Sequence, residues 1–207
     1  MAYLVLVRHG QSAWNALGLW TGLTDVELTE EGRKEAQKAA SLLKDIKLHK
    51  AHTSSLKRAQ QTLEEIAQSL ELSTIPVSQH PALNERDYGE MTGKNKWEIK
   101  EQHGEEQFTK WRRGWDEKIP GGETLKDVHA RVVPYFEDNI LMDLKDGKNI
   151  IVAAHGNSLR ALIKHLEKIA DNEIPNLELG TGEIYVYEIS DAGEVISKEI
   201  RGKNVAP

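Results

Sequence analysis

Apolar and polar positions along this chain come in blocks. Leu4-Val5-Leu6-Val7 is an unbroken apolar run that stops at Arg8, His9 and Gly10. Such a run predicts a strand buried on both faces, as in parallel sheets. Ile150-Ile151-Val152-Ala153-Ala154 repeats the pattern and also ends in a histidine and a glycine, His155 and Gly156. Between them the period changes. Thr29 is placed to cap a helix whose apolar stripe is Ala36, Ala39, Leu43 and Ile46. Lys50-Ala51-His52-Thr53 predicts a short strand, and Ser54-Ser55 open a helix with Leu56, Ala59, Leu63, Ile66 and Leu70 inward. Ile75-Pro76-Val77-Ser78 predicts a third strand, at an edge because of its proline. A loop from Pro81 to Gly89, a polar segment and a break at Pro120-Gly121-Gly122 precede a long helix. That helix buries Leu125, Val128, Val132, Phe136 and Ile140 and bends at Pro134. Asn157 or Ser158 is expected to cap a helix from Leu159 to Ile169. Glu183 to Ile189 and Val195 to Ile200 form two strands around the turn Asp191-Ala192-Gly193. Alternating strands and helices predict an α/β three-layer sandwich. Its central sheet is mainly parallel with one antiparallel edge strand, helices cover both faces, and residues 1–207 form one domain.

Composition narrows the function classes. With 207 residues and 39% hydrophobic residues, the chain can bury a substantial core. It has no cysteine, so disulfides and thiolate metal sites are absent, and a cytoplasmic location is expected. The opening Met-Ala-Tyr-Leu-Val-Leu-Val lacks a basic region, so no signal peptide is expected there, and the chain has no membrane-length apolar stretch. A net charge of −6 disfavours nucleic acid. His49 and His52 flank a strand without accompanying ligands at metal spacing, so no metal is expected.

The chemistry concentrates at the two strand-His-Gly junctions. Ligands of open α/β sheets bind beyond the carboxyl ends of strands, which places Arg8, His9 and His155 at one rim. Arg58 falls in the first turn of a helix that follows a strand, where free N–H groups and the dipole favour an anion. Arginines, helix N–H groups and histidines without a metal describe a phosphate pocket. Neighbouring cations disfavour protonation of His9, leaving a neutral nitrogen able to attack phosphorus. Glu85, in a loop that reaches the same rim, is the candidate proton shuttle. Trp111-Arg112-Arg113-Gly114-Trp115 taken alone is a helix end with basic side chains near its carbonyls.

The ordered blocks Arg8-His9-Gly10-Gln11-Ser12-x-Trp14-Asn15, Thr21-Gly22, Thr53-Ser54-x-Leu56-x-Arg58-Ala59, Leu83-Asn84-Glu85-Arg86-x-Tyr88-Gly89, Trp111-Arg112-Arg113, Glu123-Thr124-Leu125 and Ala153-Ala154-His155-Gly156-Asn157-Ser158-Leu159-Arg160 resemble the histidine phosphatase superfamily. They are most similar to its cofactor-dependent phosphoglycerate mutases. The resemblance implies a glycolytic and gluconeogenic isomerase primed by 2,3-bisphosphoglycerate, with no metal. His9 would carry the phosphoryl group and His155 would clamp it. Arg8, Arg58 and Asn15 would hold its oxygens and Glu85 would handle the hydroxyl proton. The implied substrate contacts also include Gly10, Gln11, Ser12, Thr21, Gly22, Arg86, Tyr88, Lys96, Arg112, Arg113, Gly156 and Asn157.

Two segments depart from the family pattern. Only Gly114 to Gly122 separates the arginine pair from Glu123-Thr124-Leu125, where many members carry a long insertion, and the chain stops at Val205-Ala206-Pro207 without a long tail rich in Ala, Gly and Lys. Asp87 replaces a residue that is commonly His. A more open site admits water, so a phosphohistidine phosphatase acting on small esters is the alternative reading. A non-enzymatic phosphate-binding module is a third. The short segment also implies a monomer or a weak homodimer.

Overall fold

A computed structural model describes residues 1–72 and 74–202. The expectation for the Val205-Ala206-Pro207 end lies outside the described residues. In chain order the elements are β1 (Ala2–Arg8), α1 (Ala13–Ala16), α2 (Glu30–Ser41), β2 (Lys50–Thr53), α3 (Lys57–Ser69), β3 (Val77–Gln79), α4 (Lys96–Arg113), α5 (Leu125–Tyr135), α6 (Leu141–Lys145), β4 (Ile150–Ala154), α7 (Gly156–Glu167), β5 (Ile184–Ile189) and β6 (Val195–Arg201). The strands form one six-stranded sheet in the order β3-β2-β4-β1-β5-β6. β1, β2, β3 and β4 run parallel. β5 pairs antiparallel with β1, and β6 antiparallel with β5. The strand opposed to the rest is therefore β5, one position in from the edge that β6 forms.

Alternate residues of β1 explain the layers. Leu4 and Leu6 join Ile150 and Val152 in a core with α5 and α7, whereas Val5 and Val7 join Ile151 and Ala153 in a core with α2 and α3. The helix that follows β1 thus lies on the opposite face from the helix that follows β4, although β1 and β4 are neighbours. Helices leaving on opposite faces open a crevice between adjacent strand ends. The crevice lies at His9 and His155. A third, smaller core of Trp20, Tyr88, Met91, Ile99, Phe108 and Ile119 builds a cap supported by α4.

Local expectations hold with shifts that have physical causes. Thr29 caps α2, its side chain accepting from Gly32 N–H. The third strand starts two residues later than predicted, at Val77; the Pro76 carbonyl accepts from Ala51 N–H but proline has no N–H of its own to pair. A π-helical turn, Phe136–Ile140, follows Pro134 and takes up the bend. α4, kinked at Gly104 where the backbone leaves helical geometry, forms where the sequence pattern is polar apart from the helix end expected at Trp111 to Trp115, because its buried residues are just Ile99 and Phe108. Neither Asn157 nor Ser158 is the cap of α7. His155 is, and Ser158 Oγ accepts from His155 N–H at 3.1 Å from the third helical position.

Gly10 follows the apolar run at a point where glycine is expected to let the backbone turn away, but the structure gives it a packing role. A Cβ there would lie 2.2 Å from the Gly32 carbonyl oxygen, and a Cβ on Gly32 would lie 2.1 Å from the Gln11 oxygen. The chain after β1 crosses the first turn of α2 backbone to backbone. Gly10→Ala is therefore expected to cost about 2–3 kcal/mol through forced backbone displacement. For a chain of this size that lowers Tm by roughly 5–10 °C in a thermal melt.

Candidate active site

His9 and His155 sit at the ends of neighbouring strands, the His9 N–H donating to the Ala154 carbonyl at 2.9 Å. Their rings are 5.0 Å apart and tilted by 59°. His9 Nδ1 lies 2.7 Å from the Gly10 carbonyl oxygen, which can only accept. The proton is thereby assigned to Nδ1, and the Nε2 lone pair is free to attack. Burial holds the His9 pKa well below the usual imidazole value, with Arg58 and Arg8 adding to the effect. Desolvation is a larger cause than the neighbouring cations. His155 is held down in the same way, by burial first and then by Arg58, His9 and Arg8. Ser54 Oγ lies 2.7 Å from His155 Nε2 and accepts from Leu56 N–H at 3.1 Å. The Nδ1 of His155 is buried without a hydrogen-bond partner.

The cations around this pair are anchored by backbone. Arg58, 1% exposed, donates to the Thr24 and Gly22 carbonyls at 2.9 and 2.8 Å. Arg8 donates through its NH1 nitrogen to the Leu179 carbonyl. The Nε atoms of both arginines and the Thr21 hydroxyl are buried without a partner. Unpaired buried donors are costly in isolation, and an anion in the cavity would satisfy them. Glu85 Oε1 accepts from the N–H groups of Arg86 (2.7 Å) and Asn157 (3.2 Å). Its Oε2 and Arg8 Nε both lie 3.7 Å from where a Cβ on Gly156 would stand. Glycine at the start of α7 keeps that space open.

One cavity is lined by Arg8, His9, Asn15, Thr21, Gly22, Arg58, Glu85, Tyr88, Lys96, Arg112, Arg113, Gly156 and Asn157 of the sequence candidates. It is also lined by Trp20, Arg160, Leu177, Glu178 and Leu179, to which the sequence reading gave no role. Arg160 follows Asn157 by one helical turn, a spacing that could have flagged it. It donates to Asn157 Oδ1 at 2.9 Å and to the carbonyls of Leu177, Arg113 and Ile174. Asn157 Nδ2 in turn donates to Tyr88 Oη at 2.7 Å, so the tyrosine hydrogen is free for another acceptor. Burial, with Arg112 and Arg8, brings Lys96 down to about 8.

Five predicted site residues are absent from the cavity lining. His155, fully buried, reaches the site only through its neighbour His9. Gly10 packs on Gly32, and its N–H donates to Thr62 Oγ1 at 3.1 Å. Gln11 Oε1 accepts from the Thr29 hydroxyl. Ser12, fully buried, caps α1 and binds Asn15 Oδ1. Arg86, fully buried, donates to the Glu123, Trp111 and Glu117 carbonyls and braces the cap. The side chains or backbone of these last four are used internally, shaping the site without facing it. Outside the site, His49 Nδ1 accepts from Asn149 N–H and His52 Nδ1 contacts the Tyr135 hydroxyl.

A family model described as histidine phosphatase superfamily (branch 1) matches residues 4–199. The chain belongs to the histidine phosphatase superfamily. Superfamily relatives named 2,3-bisphosphoglycerate-dependent phosphoglycerate mutase are similar over nearly the whole chain. The Cytophaga hutchinsonii protein is 48% identical over 92% of this chain and 89% of its own. The Beijerinckia indica protein is 49% identical over 95% of this chain and 96% of its own. Among solved superfamily structures, mycobacterial glucosyl-3-phosphoglycerate phosphatase complexed with VO3 superimposes with a TM-score of 0.84 at 25% identity, covering 100% of both chains. No helix among the described residues is long and apolar enough to cross a membrane.

Proposed function

We propose that this chain is a 2,3-bisphosphoglycerate-dependent phosphoglycerate mutase, an isomerase that interconverts 3-phosphoglycerate and 2-phosphoglycerate in glycolysis and gluconeogenesis. The observation that carries the reading is a single cavity lined by more cations than one phosphate needs. His9, Arg8 and Arg58 line one part of it, and Lys96, Arg112 and Arg113 supply further cations. A reacting phosphate alone has less use for the second group. The identity of 48–49% to proteins bearing the mutase name supports the same choice over a phosphatase.

2,3-Bisphosphoglycerate supplies the phosphoryl group that primes the enzyme. The partnerless Nε atoms of Arg8 and Arg58 and the Thr21 hydroxyl, on three residues that line the cavity, are donors suited to a polyanion. His9 Nε2 carries the phosphoryl group. Arg8, Arg58, Asn15, His155 and the N-terminus of α7 stabilise the equatorial oxygens in transfer, each such donor contributing about 3 kcal/mol. Glu85 accepts the proton of the attacking 2-hydroxyl through Oε2 and returns it when His9 recovers a phosphoryl group from the 3-position. Tyr88, Lys96, Arg112, Arg113, Gly22 and Asn157 orient the glycerate. No step calls on a metal.

A coupled assay tests the proposal. The rate of 2-phosphoglycerate formation from 3-phosphoglycerate is expected to rise steeply on adding catalytic 2,3-bisphosphoglycerate, with little inorganic phosphate released. Phosphate release without isomerisation would replace this reading with the phosphatase.

A further inference from the structure

Glu178 is one of two acids, with Glu85, in a cavity lined mainly by cations. It stands between the turn Ile174–Asn176 and β5, in a segment whose backbone is pinned on either side of it. The Leu177 carbonyl accepts from Arg160 Nε at 3.0 Å, and the Leu179 carbonyl accepts from Arg8. Both fastening residues also line the cavity. The position of Glu178 is thus fixed by the same arginines that shape the site, while its side chain stays 57% exposed and free to swing. That side chain reaches Arg113 at 2.6 Å and Arg112 at 3.7 Å. Among the described residues it is the only carboxylate paired with these two guanidinium groups.

The geometry points to Glu178 as a specificity-determining residue: an internal anion that competes with the ligand for Arg112 and Arg113 and so discriminates against the most highly charged occupant of the site. This inference rests on the mutase reading for the identity of the ligands. A phosphate ester carries close to −2 and a carboxylate −1, so 3-phosphoglycerate approaches −3 and 2,3-bisphosphoglycerate −5. The repulsion from a fixed neighbouring carboxylate grows with that charge. Glu178 consequently weakens retention of the bisphosphate more than that of the monophosphate. A ligand carboxylate or phosphate that takes Arg113 displaces the Glu178 side chain, which is exposed enough to move into water.

The test compares binding of three probes to the unaltered protein, Glu178→Gln and Glu178→Asp by titration calorimetry at fixed ionic strength. Exposed ion pairs contribute factors of a few. Glu178→Gln should therefore tighten 3-phosphoglycerate about 3-fold and 2,3-bisphosphoglycerate about 6-fold. Inorganic phosphate, which has no group for Arg112 and Arg113, should change less than about 2-fold. The concentration of 2,3-bisphosphoglycerate giving half-maximal isomerisation should fall in parallel. Glu178→Asp keeps the charge and should remain within about 2-fold of the unaltered protein for all three. Unchanged or weakened bisphosphate binding in Glu178→Gln would overturn the inference, because Glu178 would then only hold the arginines in place. Equal tightening in Glu178→Asp would overturn it too. Isomerisation is assayed apart from binding, and the comparison is repeated in a His9→Ala background where the bisphosphate cannot react, so an unaltered protein that fails to isomerise would defeat the mutase reading separately.

Discussion

His9→Ala is expected to reduce turnover by about 10⁴-fold or more, the scale seen when a covalent nucleophile is removed. Acid-labile phosphate on the protein after exposure to 2,3-bisphosphoglycerate should disappear. Label retained in His9→Ala would assign the nucleophile to another side chain. The variant should fold, since the His9 ring makes one hydrogen bond, to its own neighbour's carbonyl, and α2 and β4 hold the surrounding backbone. Acid stability separates this result from general damage. The native pKa of His9 lies well below 6.5 through burial and the two arginines. Below pH 6.5 the unfolded chain therefore binds a proton that the folded chain refuses, and stability falls as the pH drops through that region. Above it the penalty vanishes. Removing His9 removes its share, so the variant should lose less stability between pH 7 and pH 5 than the unaltered protein in denaturant titrations. The same depressed pKa predicts that phosphorylation of His9 stays level below pH 6.5, where a free imidazole would already be protonated.

Much of this site was legible because strand ends and helix starts are local signals. Two apolar runs each ending in His-Gly identify His9 and His155, and their adjacency follows once both are strands of one parallel sheet. Arg58 was legible for the same reason, being in the first turn of a helix that follows a strand, whereas Asn15 came only from the family resemblance. Residues whose environment is set by distant backbone were not. Arg86 and Arg112 have the same chemistry in sequence, yet Arg86 is consumed by the carbonyls of Trp111, Glu117 and Glu123 while Arg112 faces the cavity. Gly10 looks like a turn glycine until α2 is seen crossing it. Glu178 has no helical or strand periodicity to place it, and only the carbonyls on either side of it, bound to Arg160 and Arg8, bring it to the arginine pair. α4 was hidden because it packs on a small separate core and so buries two residues in 18.

Glu85→Gln should lower kcat by roughly 10²–10⁴-fold, slowing transfer to and from His9 alike, while leaving phosphate binding largely intact. The two carboxylate oxygens do different work. Oε1 is occupied by the N–H groups of Arg86 and Asn157 and ties the loop to the start of α7. A glutamine amide keeps one carbonyl oxygen for those two donors, so the loop and the α7 junction should survive. The amide nitrogen then replaces Oε2, the oxygen left facing the space that Gly156 keeps open beside Arg8. That nitrogen cannot accept a hydroxyl proton. Activation of the 2-hydroxyl is thereby lost without changing the shape of the cavity or the clamp on phosphate. Single-turnover measurement distinguishes the steps: pre-phosphorylated Glu85→Gln should bind 3-phosphoglycerate with near-normal affinity yet transfer its phosphoryl group slowly. Normal transfer with impaired binding would make Glu85 a tether for α7, and the proton would have to leave by another route.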